Sequence, residues 1–257
     1  MSVNGACASP SATPCSGPME SLNLAENGSA VRENAPDFRH VQSWIFDLDN
    51  TLYRADNGIF AQIEARMTEY VMRFLALPRE EAYARQKELY RRYGTTLNGL
   101  MCEHGAEPDA YLSYVHDIDL SQLGPDRALA AAIARLPGRR FVFTNGCRDH
   151  AARILDRLDM AGLFDAVWDI RTMAFQPKPQ PAAYASVMEA GGVTAASAAM
   201  FDDIARNLVP ARAMGMTTVW LKTDSPWGKH GPLMDVAHGD IDHETESLTQ
   251  FLNTIRI

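Results

Sequence analysis

Two aspartates, Asp47 and Asp49, end the apolar run Trp44-Ile45-Phe46-Asp47-Leu48-Asp49-Asn50-Thr51-Leu52-Tyr53. If the run is a buried strand, as its composition suggests, side chains two apart share a face. Polar residues follow, so both carboxylates fall where the strand stops. In open α/β sheets that end is where ligands bind. Two carboxylates held this close repel unless a cation or a shared proton lies between them. Such a pair suits a reaction in which one carboxylate attacks and the other moves a proton. Taken alone, the run also fits a solvated turn, since Asp and Asn are turn formers.

Three further stations follow in order: Phe-Thr-Asn-Gly at 143–146, Pro-Lys-Pro at 177–179 and Phe-Asp-Asp at 201–203. The first and last also end apolar, strand-like runs. Thr144 offers a hydroxyl, and Asn145 a backbone N–H, to a phosphate oxygen. Lys178, between two backbone-restricting prolines, is a point charge for phosphate and for Asp47. Asp202 and Asp203 supply hard oxygen atoms of the kind that suit Mg²⁺.

With these four stations, about residues 41–257 resemble the haloacid dehalogenase superfamily of aspartate-nucleophile phosphatases. The resemblance implies Asp47 as nucleophile and Asp49 as general acid and base. It implies Mg²⁺ on Asp47, the backbone carbonyl of Asp49, Asp203 and, directly or through water, Asp202. Asp49 favours phosphoryl chemistry, because the dehalogenases themselves lack an acid at that position. Many relatives carry Ser after the aspartate pair, where this chain has Ile204. Asn207, a turn further on, is a candidate support for the metal.

Asp-Leu-Asp-Asn-Thr-Leu-Tyr at 47–53 and Tyr-Gly-Thr-Thr-Leu-Asn-Gly-Leu at 93–100 resemble the pyrimidine 5′-nucleotidase branch. UMP and CMP are the implied substrates. Tyr53, Tyr93, Thr95, Thr96 and Asn98 are then candidates for holding the sugar or base, with a helix cap after a glycine turn as the plain alternative. The rival substrates are a sugar phosphate or phosphoglycolate. The rival of another class is a non-catalytic phosphate sensor.

The elements that must position these groups can be read from periodicity. The reading gives strands near 43–48, 140–144, 166–170, 199–201 and 217–221, alternating with helices; this means a parallel, doubly wound α/β sheet. Between Asp47 and Thr144 lies far more chain than the roughly 30 residues a strand–helix–strand crossover needs. Phe60, Ile63, Met67, Tyr70, Val71 and Phe74 recur at helical spacing, and three more helices are expected near 79–92, 96–103 and 109–116. A helical cap at 57–120 is therefore expected, inserted into a core of 40–56 and 121–257. Residues 1–39 are poor in large apolar side chains and are expected to be disordered.

Of the 257 residues, 46% are hydrophobic, enough for a substantial core. The net charge of −8 argues against nucleic acid and anionic membranes as partners and leaves a small phosphorylated substrate open, a nucleotide by the resemblance above. The four cysteines show no metal or disulfide spacing, and neither a leader pattern nor a membrane-spanning run is present, so a cytoplasmic setting is expected. His238 and His243, with Asp235, Asp240 and Asp242, form one other polar cluster. It reads as a solvated loop and strand edge, with a second metal site as the alternative.

Overall fold

Six short apolar or mixed runs pair side by side, all parallel, in the order β3-β2-β1-β4-β5-β6. They are β1 (Ser43–Phe46), β2 (Arg139–Phe143), β3 (Ala166–Trp168), β4 (Ala198–Asp202), β5 (Thr217–Leu221) and β6 (His243–Thr245). The computed structural model describes residues 35–223, 236 and 239–257. Pro36–Ile257 forms one compact unit.

Alternation along the central strand sorts side chains to the two faces of the sheet. Trp44 and Phe46 join Val142, Phe201 and Val219 in one apolar cluster, under α5 (Arg127–Ala134), α6 (Arg148–Arg157) and α9 (Leu248–Thr254). Ile45 joins Phe141, Phe143 and Met200 on the other face, under α7 (Pro181–Gly191) and α8 (Ala205–Ala213). Phe46 stacks on Phe201 with centroids 4.7 Å apart. The sheet is thus covered on both sides, as a doubly wound parallel sheet requires.

Between β1 and α5 run four helices: α1 (Ile59–Leu75), α2 (Arg79–Tyr93), α3 (Thr96–His104) and α4 (Pro108–Val115). Helix α1 carries a buried stripe of Ile59, Ile63 and Val71. Gly94 turns the chain between α2 and α3 with φ of 82°, a left-handed value that favours glycine. Gly99 lets α3 press onto α2: a Cβ there would stand 2.7 Å from the Leu89 side chain.

Three expectations need correcting. The first strand stops at Phe46, so Asp47 and Asp49 are not neighbours on a strand. The ladder continues by one bond, Asp47 N–H to the Phe201 carbonyl at 2.9 Å, and the chain then turns: Leu52 N–H bonds back to the Leu48 carbonyl and Asn50 is left-handed at φ 63°. Second, residues 36–39 belong to the fold and not to a tail. Phe38 is fully buried, stacks on Trp44 at 5.8 Å and donates its N–H to the Arg256 carbonyl at 2.8 Å. The rest of the expected disordered segment, 1–34, lies outside the described residues. Third, β6 adds a sixth strand to the five read from periodicity; His243-Glu244-Thr245 is polar and has no apolar run, although the cluster holding His243 reads as a loop and strand edge.

Asp235 and His238 lie outside the described residues. His243 packs against Phe38 and Phe251, at 5.3 and 5.9 Å, and Asp242 binds Thr218 and Arg212. Those contacts give both groups structural partners.

Candidate active site

Strand register brings the four stations together. Phe46 lies opposite Val142 on one side and Phe201 on the other. The residues just past these points, Asp47, Thr144, Asp202 and Asp203, therefore gather at the carboxyl edge of the sheet.

Lys178 is the centre of the group, only 1% exposed. Its ammonium donates to Asp47 Oδ1 at 2.7 Å, Asp202 Oδ2 at 2.8 Å and the Phe143 carbonyl at 2.8 Å, which uses all three of its hydrogens. Burial alone would strip its proton; Asp202 and Asp47 outweigh that and raise its pKa. The loop holding it is clamped from β2: Asn145 Oδ1 accepts the Lys178 N–H at 2.8 Å, and Asn145 Nδ2 donates to the Lys178 carbonyl at 3.2 Å. The side chain of Asn145 thus serves the lysine loop.

The acids differ in what they still have free. Asp202 is saturated by protein donors. Its Oδ1 accepts from Ile204 N–H at 2.9 Å and Asn207 Nδ2 at 3.0 Å, and its Oδ2 from Asn207 at 3.1 Å besides Lys178. Ile204 thus reaches Asp202 with its backbone N–H, and Asn207 supports Asp202. Asp203 Oδ2 is buried with no hydrogen-bond partner. Asp47, Asp202 and Asp203 present oxygens within 4.8 Å of one another, a hard, all-oxygen set that fits a divalent cation such as Mg²⁺. Burial pushes the Asp47 carboxyl up to about 7; Lys178 opposes this, while Asp202 and Asp49 add to it. Asp203 is pushed well above the carboxylate range by burial and by Asp47 and Asp202. An orphaned buried oxygen among repelling acids is the environment that a cation relieves.

Asp49 is governed by different neighbours. Tyr53 Oη donates to its Oδ1 at 2.6 Å, and His150 Nε2 lies 2.8 Å from the same oxygen. A carboxylate accepts, so Nε2 carries the hydrogen. Burial raises the Asp49 pKa, but His150 and Tyr53 outweigh burial and the net shift is downward. His150 is itself stacked on His116, centroids 4.3 Å apart, and His116 Nδ1 lies 3.2 Å from Cys147 Sγ. Burial, then His150, push His116 down to about 3, so its ring is neutral.

A cavity of about 890 Å³, open mouth included, rises from these groups. Asp47, Asp49, Thr144, Asn145, Lys178 and Asp203 lie at its base. Phe60, Ile63, Met67, Leu97, Leu112 and Val115 from the helical insert give it an apolar wall. Thr144 Oγ1 accepts from Gly146 N–H at 2.9 Å. The Gly94 turn meets the lysine loop, since a Cβ there would stand 3.2 Å from Pro177.

A model of the haloacid dehalogenase-like hydrolase family matches residues 43–215. The chain belongs to this family. It is 30% identical over 200 residues to "Phosphatase MT3486" of Mycobacterium tuberculosis, covering 68% of this chain and 85% of that protein. It is 27% identical over 191 residues to "Phosphate metabolism protein 8" of Saccharomyces cerevisiae, covering 67% of this chain. The match spans 59% of the yeast protein's length. The fold is similar to that of a haloacid dehalogenase-like phosphatase from Thermococcus onnurineus, with a TM-score of 0.54 at 17% identity over 84% of this chain and 100% of that one.

Within this hydrolase, the expected substrate contacts divide. Thr95 and Thr96 line the cavity. Thr95 also caps α3 by accepting the Asn98 N–H at 3.1 Å. Tyr93 and Asn98 are not among the cavity's lining residues. Tyr93 Oη donates to Glu103 at 2.8 Å, and Asn98 Nδ2 donates to the Tyr93 carbonyl at 3.0 Å. Tyr53 spends its hydroxyl on Asp49 and is no exposed aromatic wall. Sequence reasoning missed His150, His116 and Arg206. His150 had one signal: it sits in the first turn of the helix that follows Thr144-Asn145-Gly146, and that turn points back toward the sheet edge.

Among the described residues, no helix is long and apolar enough to cross a membrane.

Proposed function

We propose that this hydrolase is a Mg²⁺-dependent phosphomonoester hydrolase, with the pyrimidine nucleotides UMP and CMP as its substrates. The observation that carries the reading is Lys178, which ties Asp47 to Asp202 beneath a cavity where Asp203 keeps a buried oxygen free. The two relatives whose names mention phosphatase or phosphate metabolism support it.

Asp47 and Asp203 would hold the ion, with the Asp49 backbone carbonyl, and Asp202 would support it through Lys178 or water. Bound there, Mg²⁺ supplies charge neutralisation for the phosphate and for the buried acids. Thr144 offers its hydroxyl to the phosphate, and Lys178, whose hydrogens go to Asp47, Asp202 and the Phe143 carbonyl, acts on it through charge and by fixing Asp47. An Asp47 oxygen forms a bond to phosphorus as the ester P–O bond breaks, giving an aspartyl-phosphate. The leaving alkoxide takes a proton from Asp49. A water then gives a proton back to Asp49 and bonds to phosphorus, and the Asp47–phosphorus bond breaks. Asp49 rests as a carboxylate; a phosphate dianion beside it raises its proton affinity, so it takes up a proton from solvent as substrate binds and returns it to solvent when phosphate leaves. Tyr53 and His150 both occupy Oδ1, so Oδ2 is the oxygen free to move the proton.

The apolar wall of the insert suits a flat base, and Thr95 and Thr96 suit ribose hydroxyls. The test is a panel of phosphate esters assayed with Mg²⁺ and with excess chelator. UMP and CMP should be cleaved in preference to AMP, GMP, sugar phosphates and phosphoglycolate, with activity lost in chelator and restored by Mg²⁺. Equal turnover of purine and pyrimidine nucleotides would reject the nucleotide assignment and leave the general phosphatase.

A further inference from the structure

Arg206, on the first turn of α8, lines the cavity and is 4% exposed. One of its amino groups donates to the Tyr90 hydroxyl on α2, and the guanidinium lies 4.6 Å from the centre of the Tyr90 ring. It thereby spans from the core to the helical insert. Its Nε–H is buried with no acceptor. Buried cations elsewhere in the described residues are matched by carboxylates: Lys178 by Asp47 and Asp202, Lys87 by Glu64. Arg206 has no described acid within ion-pair distance. A buried guanidinium with an open donor is costly unless something completes it.

Charge and hydrogen bonding point to different completions here. Even with the cation proposed above beside Lys178, the four acids Asp47, Asp49, Asp202 and Asp203 and a bound phosphate dianion carry the larger charge at the cavity base, so a second anionic group on the substrate would meet a repelling field. Arg206 stands apart from those acids, and its Nε–H lacks an acceptor. A neutral carbonyl supplies one. Uracil and cytosine share a ring carbonyl, and the apolar wall accepts the ring that carries it.

We propose that Arg206 is a specificity residue that donates a hydrogen bond to the ring carbonyl of the leaving group. This rests on the nucleotide reading above. The experiment measures kcat/KM for UMP and for ribose 5-phosphate, which lacks the base, in the full-length wild type and in Arg206→Gln and Arg206→Lys. The wild type should favour UMP. In Arg206→Gln the ratio of UMP to ribose 5-phosphate should fall about 10- to 100-fold, the scale of one hydrogen bond to a charged group. Arg206→Lys keeps the charge but cannot serve Tyr90 and the carbonyl together, so its ratio should fall as well, and it carries the test if the glutamine variant fails to fold. If the wild type favours UMP but both ratios are unchanged, the proposal is overturned while the nucleotide reading stands. If lysine restores the ratio fully, Arg206 acts by charge alone and the proposal is likewise overturned. If the wild type does not prefer UMP, the nucleotide reading fails first and the proposal goes with it.

Discussion

Replacing Lys178 by methionine keeps the length of the side chain and removes its charge. Two carboxylates, Asp47 and Asp202, lose their shared donor at 2.7 and 2.8 Å, and the Phe143 carbonyl loses its own. Taking one partner from a buried ion pair costs about 3–5 kcal/mol, because the remaining charge has nowhere to go. For a chain of this size each kcal/mol lowers the melting temperature by roughly 2–4 °C, so a loss of roughly 6–20 °C is expected. The loss should depend on pH. Burial already pushes Asp47 up from 3.8 to about 7 with Lys178 opposing it, and removing Lys178 pushes it further. A carboxyl whose folded pKa is raised binds more protons folded than unfolded, so stability falls as pH rises from the unfolded value through the folded one. The variant should therefore lose less at about pH 5.5, where protons take the place of the lysine, than at about pH 8. Thermal melts of wild type and Lys178→Met in chelator at both pH values make the measurement. Equal melting temperatures, or a larger loss at the lower pH, would refute the reasoning.

His150→Ala should lower kcat for UMP by about 10- to 100-fold with a small change in KM, because it frees the Asp49 carboxylate to rotate and leaves the phosphate contacts in place; a rise in KM alone would count against this. Phe38→Ala should cost about 3–5 kcal/mol of unfolding free energy by denaturant titration, since the ring is fully buried against Trp44 and Phe251; a neutral substitution would return Phe38 to the tail. Mg²⁺ should raise the melting temperature more at about pH 8 than at about pH 5.5, because protons compete with the cation for Asp47 and Asp203, whose pKa values are raised. A larger rise at acid pH would mean that the ion binds elsewhere.

The sheet was legible because its strands are short apolar runs, and each of the four stations closes one or sits in a loop beside it. Trp44-Ile45-Phe46 and Ala199-Met200-Phe201 announce buried strands, and the aspartates after them announce an edge with chemistry. The first helix of the insert was legible from the spacing of Ile63, Met67 and Val71. What surrounds Asp49 was not legible. Tyr53, His116 and His150 come from three separate segments, and nothing in one sequence says that they meet. Tyr93, Thr95, Thr96 and Asn98 looked like substrate contacts. Gly94 makes a turn, Gly99 lets two helices touch, and Asn98 caps a carbonyl. Composition alone could not separate capping from recognition, since both use the same donors and acceptors. Phe38 was lost because a single aromatic in a polar stretch gives no periodicity, although the ends of the fold close on it.

The central claim is that Asp47 becomes an acyl phosphate. Wild type mixed with UMP and Mg²⁺, quenched in acid within the first turnovers and reduced with borohydride, would convert an aspartyl-phosphate into an alcohol that peptide mass spectrometry can locate. Reduction should appear at position 47 and should be absent without Mg²⁺ or in Asp47→Asn, whose turnover should fall at least about a thousandfold. Normal turnover in Asp47→Asn, or reduction at another residue, would contradict the account.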